Sequence, residues 1–331
     1  RATMDQVYAA DKIHPNADGA KTIAEATFVA LMNPDDHKKP LGPDGPGFPG
    51  KPETHEYWLC AGQSNMQQGW GFYNRTPEEK ARVEKELAQL DKVDIRFWDF
   101  NDGQWTKLTS TTPLAREKCA NGISFAIRRA LKTKKQICIL YVAAGGAPTE
   151  SFLSRRTMLA ADASGRPLYP TLAAMARDGR EIGENPHFPC KWVAREYPRR
   201  KGCDPEAKWW GFGCLYEKGI APVRNLPLTG ILWYQGESNA TACIGQPDRA
   251  LDPDYMRETL RAVVAELRGE RPIPFLMVGL PRMNRPWEAY RAAQKEVCSQ
   301  TGAIYVDTFS AGLGEDDDVH PRDKVAFAEL A

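Results

Sequence analysis

The sequence has almost no excess of charge of either sign: 44 lysines and arginines stand against 43 aspartates and glutamates, a formal net charge of +1 over 331 residues. Nucleic acids and anionic membranes normally bind proteins with a marked basic excess, so neither is expected as the main partner. The sequence also lacks any apolar run near the ~20 residues that a membrane-spanning helix needs. Its composition, 42% hydrophobic and 26% charged residues, is that of an ordinary globular protein.

Histidines and paired cysteines are scarce too. The histidines stand only at positions 14, 37, 55, 187 and 320, which leaves few candidates for histidine-dependent chemistry. None of the eight cysteines belongs to a C-x-x-C pair and no cysteine–histidine group has zinc-finger spacing, so no metal site is predicted. Cys60 and Cys138 lie in apolar runs and are expected to be buried. Cys190, Cys203 and Cys214 fall in a polar stretch, where free thiols are favoured but a disulfide is an open alternative.

Proline and glycine are concentrated near the N-terminus, with six prolines and four glycines between positions 34 and 52. Such a run cannot sustain a helix, and it predicts a linker over residues 34–55. One helical pattern precedes it, roughly from Asp18 to Leu31, and a single helix cannot form a core. Residues 56–331 are long enough for one large domain.

From Tyr57 onward, strand-like and helical patterns alternate. The predicted strands are Tyr57–Ala61, Ile95–Phe100, Gln136–Ala144, Gly230–Gln235, Phe275–Leu280 and Ala303–Asp307, and the predicted helices lie around 77–90, 122–132, 252–268 and 286–299. Several strands are almost entirely apolar, as parallel strands covered on both faces are. The pattern predicts an α/β fold, a three-layer α/β/α sandwich with a mostly parallel central sheet. Residues 151–228 show no clear strand and are expected to form loops over the carboxyl edge of the sheet, where open α/β folds place their sites.

Ser64 is the first candidate for chemistry, in the run Gly62-Gln63-Ser64-Asn65-Met66 that follows the first predicted strand. A serine at a strand-to-helix turn projects its hydroxyl above the edge of the sheet, and the glycine permits a tight turn. The backbone N–H of the same serine can face a developing oxyanion. Taken alone, such a motif is more often explained by a serine that caps the next helix.

His320 strengthens the interpretation of Ser64. It lies in the run Asp317-Asp318-Val319-His320-Pro321, after the last predicted strand. A serine nucleophile needs a base, and the base needs an orienting partner on its second ring nitrogen. Asp317 is the predicted partner, with Asp316 and Asp318 as rivals. A solvated acidic loop is the alternative explanation of this run.

Two further segments follow strand ends. Gly145-Gly146 comes after a buried strand and can expose backbone N–H groups to a ligand, while Gln235 and Asn239 offer side-chain amides to an oxyanion. A helix N-terminus and a turn would explain the same residues without a catalytic function. Because the carboxyl ends of parallel strands share one edge of the sheet, four such features favour one hydrolytic site.

These motifs resemble those of a known family, the sialate O-acetylesterase group of the SGNH/GDSL-like hydrolases. The matching stretches are Ala61–Met66, Gly145–Ser151, Leu215–Pro222, Trp233–Ala240, Arg291–Gln294 and Asp317–Pro321. The resemblance implies an SGNH hydrolase-like, flavodoxin-like fold. It also implies a serine esterase that removes O-acetyl groups from sialic acids or related sugars through an acetyl-enzyme, without metal or organic cofactor.

Carried over by position, the resemblance makes Ser64 the nucleophile, His320 the base and Asp317 its orienter. The Ser64 and Gly145 N–H groups, with either Gln235 or Asn239, would form the oxyanion hole. The resemblance further suggests a secreted or periplasmic protein whose partner is an O-acetylated carbohydrate.

The N-terminus carries a second copy of the histidine block. Asp11-Lys12-Ile13-His14-Pro15 resembles the Asp/His block that closes an SGNH hydrolase domain, without a serine block of its own. Residues 1–33 are therefore predicted to be the C-terminal remnant of an upstream SGNH domain, which would be a further partner in the full-length chain. The alternative, that these residues complete a site on another molecule, is disfavoured.

The substrate is less well defined by the sequence. A sialic acid carboxylate calls for an arginine, and Arg155, Arg156, Arg195 and Arg285 are candidates. An acetyl-xylan or other polysaccharide esterase would instead need aromatic platforms, for which the candidates are Trp70, Trp192, Trp209 and Trp210. A carbohydrate-binding module on an inactive hydrolase fold is the non-enzymatic alternative.

Overall fold

The computed structural model describes residues 53–72, 76–178, 213–240 and 252–331. The chain divides into two units, Arg1–Lys39 and Pro40–Ala331, and all described residues belong to the second. The predicted remnant and nearly all of the predicted linker therefore lie outside the described residues, as do Cys190 and Cys203. The predicted domain boundaries stay predictions.

A seven-stranded sheet in the order β3-β2-β4-β1-β5-β6-β7 forms the centre of the domain. The strands are β1 (His55–Gly62), β2 (Ile95–Asp99), β3 (Gln104–Lys107), β4 (Gln136–Ala143), β5 (Gly230–Tyr234), β6 (Phe275–Val278) and β7 (Ile304–Val306). All neighbours pair in parallel except the edge pair β2–β3, which is antiparallel. The predicted mostly parallel α/β fold is thus confirmed, and β3 is an addition that the sequence pattern did not predict.

Helices alternate with these strands. They are α1 (Ser64–Gln67), α2 (Pro77–Leu87), α3 (Pro113–Glu117), α4 (Ala120–Thr133), α5 (Arg155–Met158), α6 (Pro170–Asp178), α7 (Glu237–Ala240), α8 (Pro253–Leu267), α9 (Glu288–Thr301) and α10 (Lys324–Leu330). Helix α4 packs against α10, and α8 packs against α9. A short π-helix, Tyr216–Ile220, lies before β5. Within 151–228, the described residues therefore contain helical turns but no strand.

The central strands are buried because nearly every side chain in them is apolar. Tyr57–Ala61 of β1 are all 3% exposed or less, and Cys60 and Cys138 are fully buried free thiols, as predicted. Strands covered on both faces have this composition. The register aligns Gly62 with Ala143 of β4 and with Tyr234 of β5. The segments that begin at Gln63, Ala144 and Gln235 consequently leave the sheet side by side at one edge.

Candidate active site

Ser64 begins helix α1 directly after strand β1. The turn between them needs glycine at position 62, where φ is +156° and an added Cβ would lie 2.0 Å from the backbone oxygen of Tyr234. The N–H of Gln63 donates to the same Tyr234 oxygen at 3.2 Å, which ties the turn to the neighbouring strand. The chain therefore lifts Ser64 to the edge of the sheet, where its side chain is partly exposed.

His320 approaches Ser64 from the segment between β7 and α10. Its Nε2 lies 2.9 Å from Ser64 Oγ, across 256 residues of sequence. This is hydrogen-bond distance, the arrangement in which an imidazole can take a proton from a serine hydroxyl. The structure therefore brings together the two residues that the sequence analysis selected.

The carboxylate that reaches the other ring nitrogen is Asp318, where the resemblance pointed to Asp317. Asp318 Oδ1 lies 3.1 Å from His320 Nδ1 and accepts the His320 backbone N–H at 2.9 Å. Aspartate side chains commonly bond the backbone two residues on, and this local turn selects Asp318. Asp317 is exposed, and Asp316 is an exposed partner of Arg282 at 3.5 Å. The geometry therefore favours Asp318, one of the two rivals of Asp317, and the assignment of the orienting carboxylate stays a prediction.

The surroundings of His320 favour the neutral imidazole. The pKa of His320 is lowered from 6.5 to about 4 by burial, which is the largest cause, and by the charges of Lys324 and Arg285, while Asp318 opposes them. A ring that is neutral near pH 7 can hold its Nδ1 proton toward Asp318 and leave Nε2 free to accept the proton of Ser64. The site is thus in the protonation state that general-base catalysis requires.

We expect this low pKa to set the acid limit of activity. A protonated imidazole cannot act as a base, so kcat/KM for a neutral ester should fall only as the pH drops through about 4. The same shift makes the folded state bind the proton less tightly than the unfolded chain, so the contribution of His320 to stability declines from pH 6.5 toward 4. Rates with p-nitrophenyl acetate, quantified after an alkaline quench, would test this. An acid limb centred at 6.5 would contradict it.

The four predicted oxyanion donors fall into two groups. The Ser64 N–H donates to no acceptor in the described part of the chain, and Gly145 follows Ala144, whose N–H donates to the Gly62 oxygen at 3.2 Å. Gln235 and Asn239 are 0% and 1% exposed, and their amides bond within the protein. Gln235 Nε2 donates to the Ala147 oxygen at 3.0 Å and to Asn239 Oδ1 at 2.9 Å.

The same amides hold the turn that follows Gly145. Asn239 Oδ1 accepts the Thr149 N–H at 2.9 Å, and Asn239 Nδ2 donates to Glu150 Oε2 at 3.0 Å. Burial raises the pKa of Glu150 to about 6, and the bond from Asn239 opposes this rise. The geometry therefore supports a positioning function for Gln235 and Asn239, and the backbone N–H groups of Ser64 and Gly145 remain the predicted oxyanion donors.

Sequence reasoning missed three buried polar residues next to the site. Asn65, Glu237 and Lys324 are 0%, 5% and 1% exposed. Asn65 Nδ2 donates to Glu237 Oε1, and Lys324 Nζ donates to Asn65 Oδ1 at 2.9 Å. The only sequence signals were their positions, next to Ser64, in the block after Gly236 and four residues after His320. Among the described residues, no group of three or more histidine, cysteine or acidic side chains could hold a metal ion.

Comparison with known proteins also shows similarity to carbohydrate esterases. Residues 202–328 match the family model described as carbohydrate esterase, sialic acid-specific acetylesterase. Sialate O-acetylesterase of Rattus norvegicus is 30% identical over 208 residues, which are 56% of this chain and 35% of that protein. Sialate O-acetylesterase of Pongo abelii is 26% identical over 203 residues, 56% of this chain and 31% of that protein. The chain thus spans about a third of the length of these curated relatives.

A solved structure shares the fold. The crystal structure of a carbohydrate acetylesterase from Xanthomonas citri superposes with a TM-score of 0.55 at 21% identity, over 83% of this chain and 54% of that chain. At this identity the likeness concerns the fold alone. The family match includes Gln235, Asn239 and His320, and residues 202–328 of this chain are therefore similar to the sialic acid-specific acetylesterase family of carbohydrate esterases.

Proposed function

We propose that this domain is a serine carboxylic-ester hydrolase that removes O-acetyl groups from sugars, with O-acetylated sialic acids as the first substrates to test. The observation that supports it most directly is the hydrogen-bonded series Ser64 Oγ, His320 Nε2, His320 Nδ1 and Asp318 Oδ1, with distances of 2.9 and 3.1 Å. A nucleophile, its base and an orienter of that base are thereby aligned.

The reaction follows from the positions of these groups. Ser64 Oγ attacks the acetyl carbonyl while its proton passes to His320 Nε2, and the charge on the carbonyl oxygen is held by the N–H groups of Ser64 and Gly145. His320 then protonates the departing sugar oxygen, which leaves an acetyl group on Ser64. Water, deprotonated by His320, attacks this ester, and the proton returns to Ser64 Oγ as acetate leaves.

An acidic sugar is the favoured substrate because of Arg285. Of the arginines considered from the sequence, Arg155 and Arg156 are exposed, Arg195 lies outside the described residues, and Arg285 is half-buried. Burial lowers the pKa of Arg285, and the described residues give its guanidinium no ion pair or side-chain hydrogen bond. Its segment also lies beside the His320 segment, since the Asn284 N–H donates to the Asp316 oxygen at 3.1 Å. A substrate carboxylate would supply the missing partner.

Replacing Arg285 by glutamine is expected to weaken binding of the acidic substrate. KM for O-acetylated sialic acid should rise by about tenfold or more, in keeping with the ~1.5–3 kcal/mol of a hydrogen bond to a charged group, while kcat stays close to wild type. KM for p-nitrophenyl acetate, which has no carboxylate, should not change. Arg282→Gln is the matched control, because Arg282 is an exposed arginine of the same segment paired with Asp316. Equal KM values in both variants would argue against Arg285.

The polysaccharide alternative is less well supported. Trp70 is only 2% exposed and cannot serve as a sugar platform, and Trp192, Trp209 and Trp210 lie outside the described residues. Acetate release from O-acetylated sialic acid and from acetylated xylan, measured side by side, separates the two substrates. A binding module would give saturable binding of the sugar, no acetate, and no labelling of Ser64 by a fluorophosphonate.

We also propose that the protein is exported and that the full-length chain contains two SGNH domains in tandem. The family resemblance supports a secreted or periplasmic enzyme, and the Asp11–His14 block supports an upstream SGNH domain in the full-length chain. Among the described residues, none of the helices has the length and apolarity to cross a membrane. Sequencing the mature protein from the culture medium and the cell fraction of an expressing host tests both ideas.

A further inference from the structure

Lys324 is a fully buried lysine close to the candidate site. Its side chain belongs to the first residue of α10, four positions after His320, and is 1% exposed. Lysines are almost never fully buried unless they are paired, because removing an ammonium group from water is costly. Its Nζ donates to Asn65 Oδ1 at 2.9 Å. A charge kept at this cost next to a reactive centre calls for an explanation.

Asn65 connects Lys324 to both halves of the site. Its own backbone follows Ser64, and its Nδ2 donates to the Val319 backbone oxygen at 2.8 Å, one residue before His320. Its backbone oxygen accepts a bond from Asn121 Nδ2 at 2.8 Å, which fixes it to α4. Asn65 therefore holds the Ser64 and His320 segments together, and Lys324 fixes the orientation of its amide.

The charge of Lys324 also acts on His320, whose pKa it lowers. Among the described residues, the groups that bear on His320 include Asp318 on its own segment, Ser64 on α1, Arg285 in the segment after β6, and Lys324 itself. Burial raises the pKa of Glu237, the acid of the cluster, to about 7, while the bond from Asn65 and the charge of Lys324 oppose this.

We propose that Lys324 is a positioning residue of the esterase: through Asn65 it fixes His320 against Ser64, and its ammonium charge disfavours a second cation on the imidazole. This inference rests on the proposed function. It assigns the buried lysine a task in the reaction without any contact with the substrate.

Three variants separate the hydrogen bond from the charge. Lys324→Met removes both, and we expect kcat for p-nitrophenyl acetate to fall by about 10²-fold, the cost of a misplacement near 1 Å, with KM little changed. Its acid limb should move up from near pH 4. Lys324→Gln keeps a donor without the charge, so kcat should recover while the limb stays raised. Lys324→Arg keeps the charge, so its limb should stay near that of the wild type.

Lys295→Met is the matched control, because Lys295 is a half-exposed lysine of α9 paired with Asp307 at 3.0 Å. It should leave both kcat and the limb unchanged. Thermal unfolding of every variant identifies any loss of folding, and if Lys324→Met does not fold, the limb of Lys324→Gln decides. If the acid limbs of Lys324→Met and Lys324→Gln match that of the wild type while Ser64→Ala is inactive, the inference about Lys324 is overturned and the proposed function is not. An active Ser64→Ala would instead overturn the proposed function.

Discussion

Replacing Ser64 by alanine is expected to abolish hydrolysis of p-nitrophenyl acetate and of O-acetylated sialic acid. Without Oγ, no acetyl-enzyme can form, and the imidazole 2.9 Å away has no hydroxyl to deprotonate. Where such sites have been dissected, loss of the nucleophile lowers kcat by about 10⁶-fold and leaves only the contribution of binding and of the oxyanion donors. Steady-state rates measure the loss of activity. The mass of the protein after the reaction is rapidly quenched with acid detects the acetylated intermediate.

The control for this substitution is Ser310→Ala. Ser310 is an exposed serine that bonds Asp307 in a turn after β7, so its loss should leave kcat and KM unchanged. Ser64 is only partly buried, and the alanine variant should therefore unfold at the same temperature as the wild type. Activity within a few fold of wild type in Ser64→Ala would refute the serine mechanism, and no mass increase of an acetyl group in the wild type would count against the covalent intermediate.

The fold was predictable because its central strands can be recognised from their almost entirely apolar composition. The buried runs of β1 and β4 contain almost no polar residue, and their alternation with helical patterns leaves few architectures other than a covered parallel sheet. Strand β3 was missed for the converse reason. Its four residues, Gln104–Lys107, are exposed or half-exposed at an edge, where pairing with β2 replaces burial as the stabilising contact.

The candidate site was predictable for residues whose position relative to the predicted strands marks them out. Ser64 follows a glycine at a strand end, and only one histidine follows the last strand, so their meeting could be expected. The sequence analysis favoured Asp317 over Asp316 and Asp318, but the sequence could not decide among them, because the choice depends on which carboxylate accepts the backbone N–H in the turn before His320. Asn65, Glu237 and Lys324 were equally out of reach, since their contacts join positions 172 and 259 residues apart.

The charges around His320 have opposite effects on its pKa: Lys324 and Arg285 lower it, and Asp318 raises it. Burial and the nearby cations make the free imidazole hold a proton poorly, with a pKa near 4. In the proposed reaction, however, the imidazole carries that proton between Ser64 and the sugar oxygen. We propose that the carboxylate of Asp318, 3.1 Å from Nδ1, stabilises the imidazolium and also fixes which ring nitrogen carries the proton in the resting state.

Asp318→Asn is therefore expected to lower kcat by about 10³- to 10⁴-fold, the loss seen when an orienting carboxylate becomes an amide and the imidazole takes the wrong tautomer. Loss of the negative charge should also shift the acid limb of kcat/KM to lower pH, because the charge of Asp318 raises the pKa of His320. This shift is opposite in sign to the one expected for Lys324→Met. The two variants thus test the same electrostatic balance from opposite sides.

Asp317→Asn provides a control at the adjacent position, with the same change of chemistry. Asp317 is exposed, while Asp318 accepts the His320 N–H at 2.9 Å and faces Nδ1 at 3.1 Å, so the Asp317 variant should keep kcat within a few fold of wild type. The pH–rate profiles of both variants with p-nitrophenyl acetate decide the assignment. A large loss in Asp317→Asn with little change in Asp318→Asn would return the orienting position to Asp317. Large losses in both would mean that the acidic run acts on His320 as a unit, and would contradict a single orienting carboxylate at Asp318.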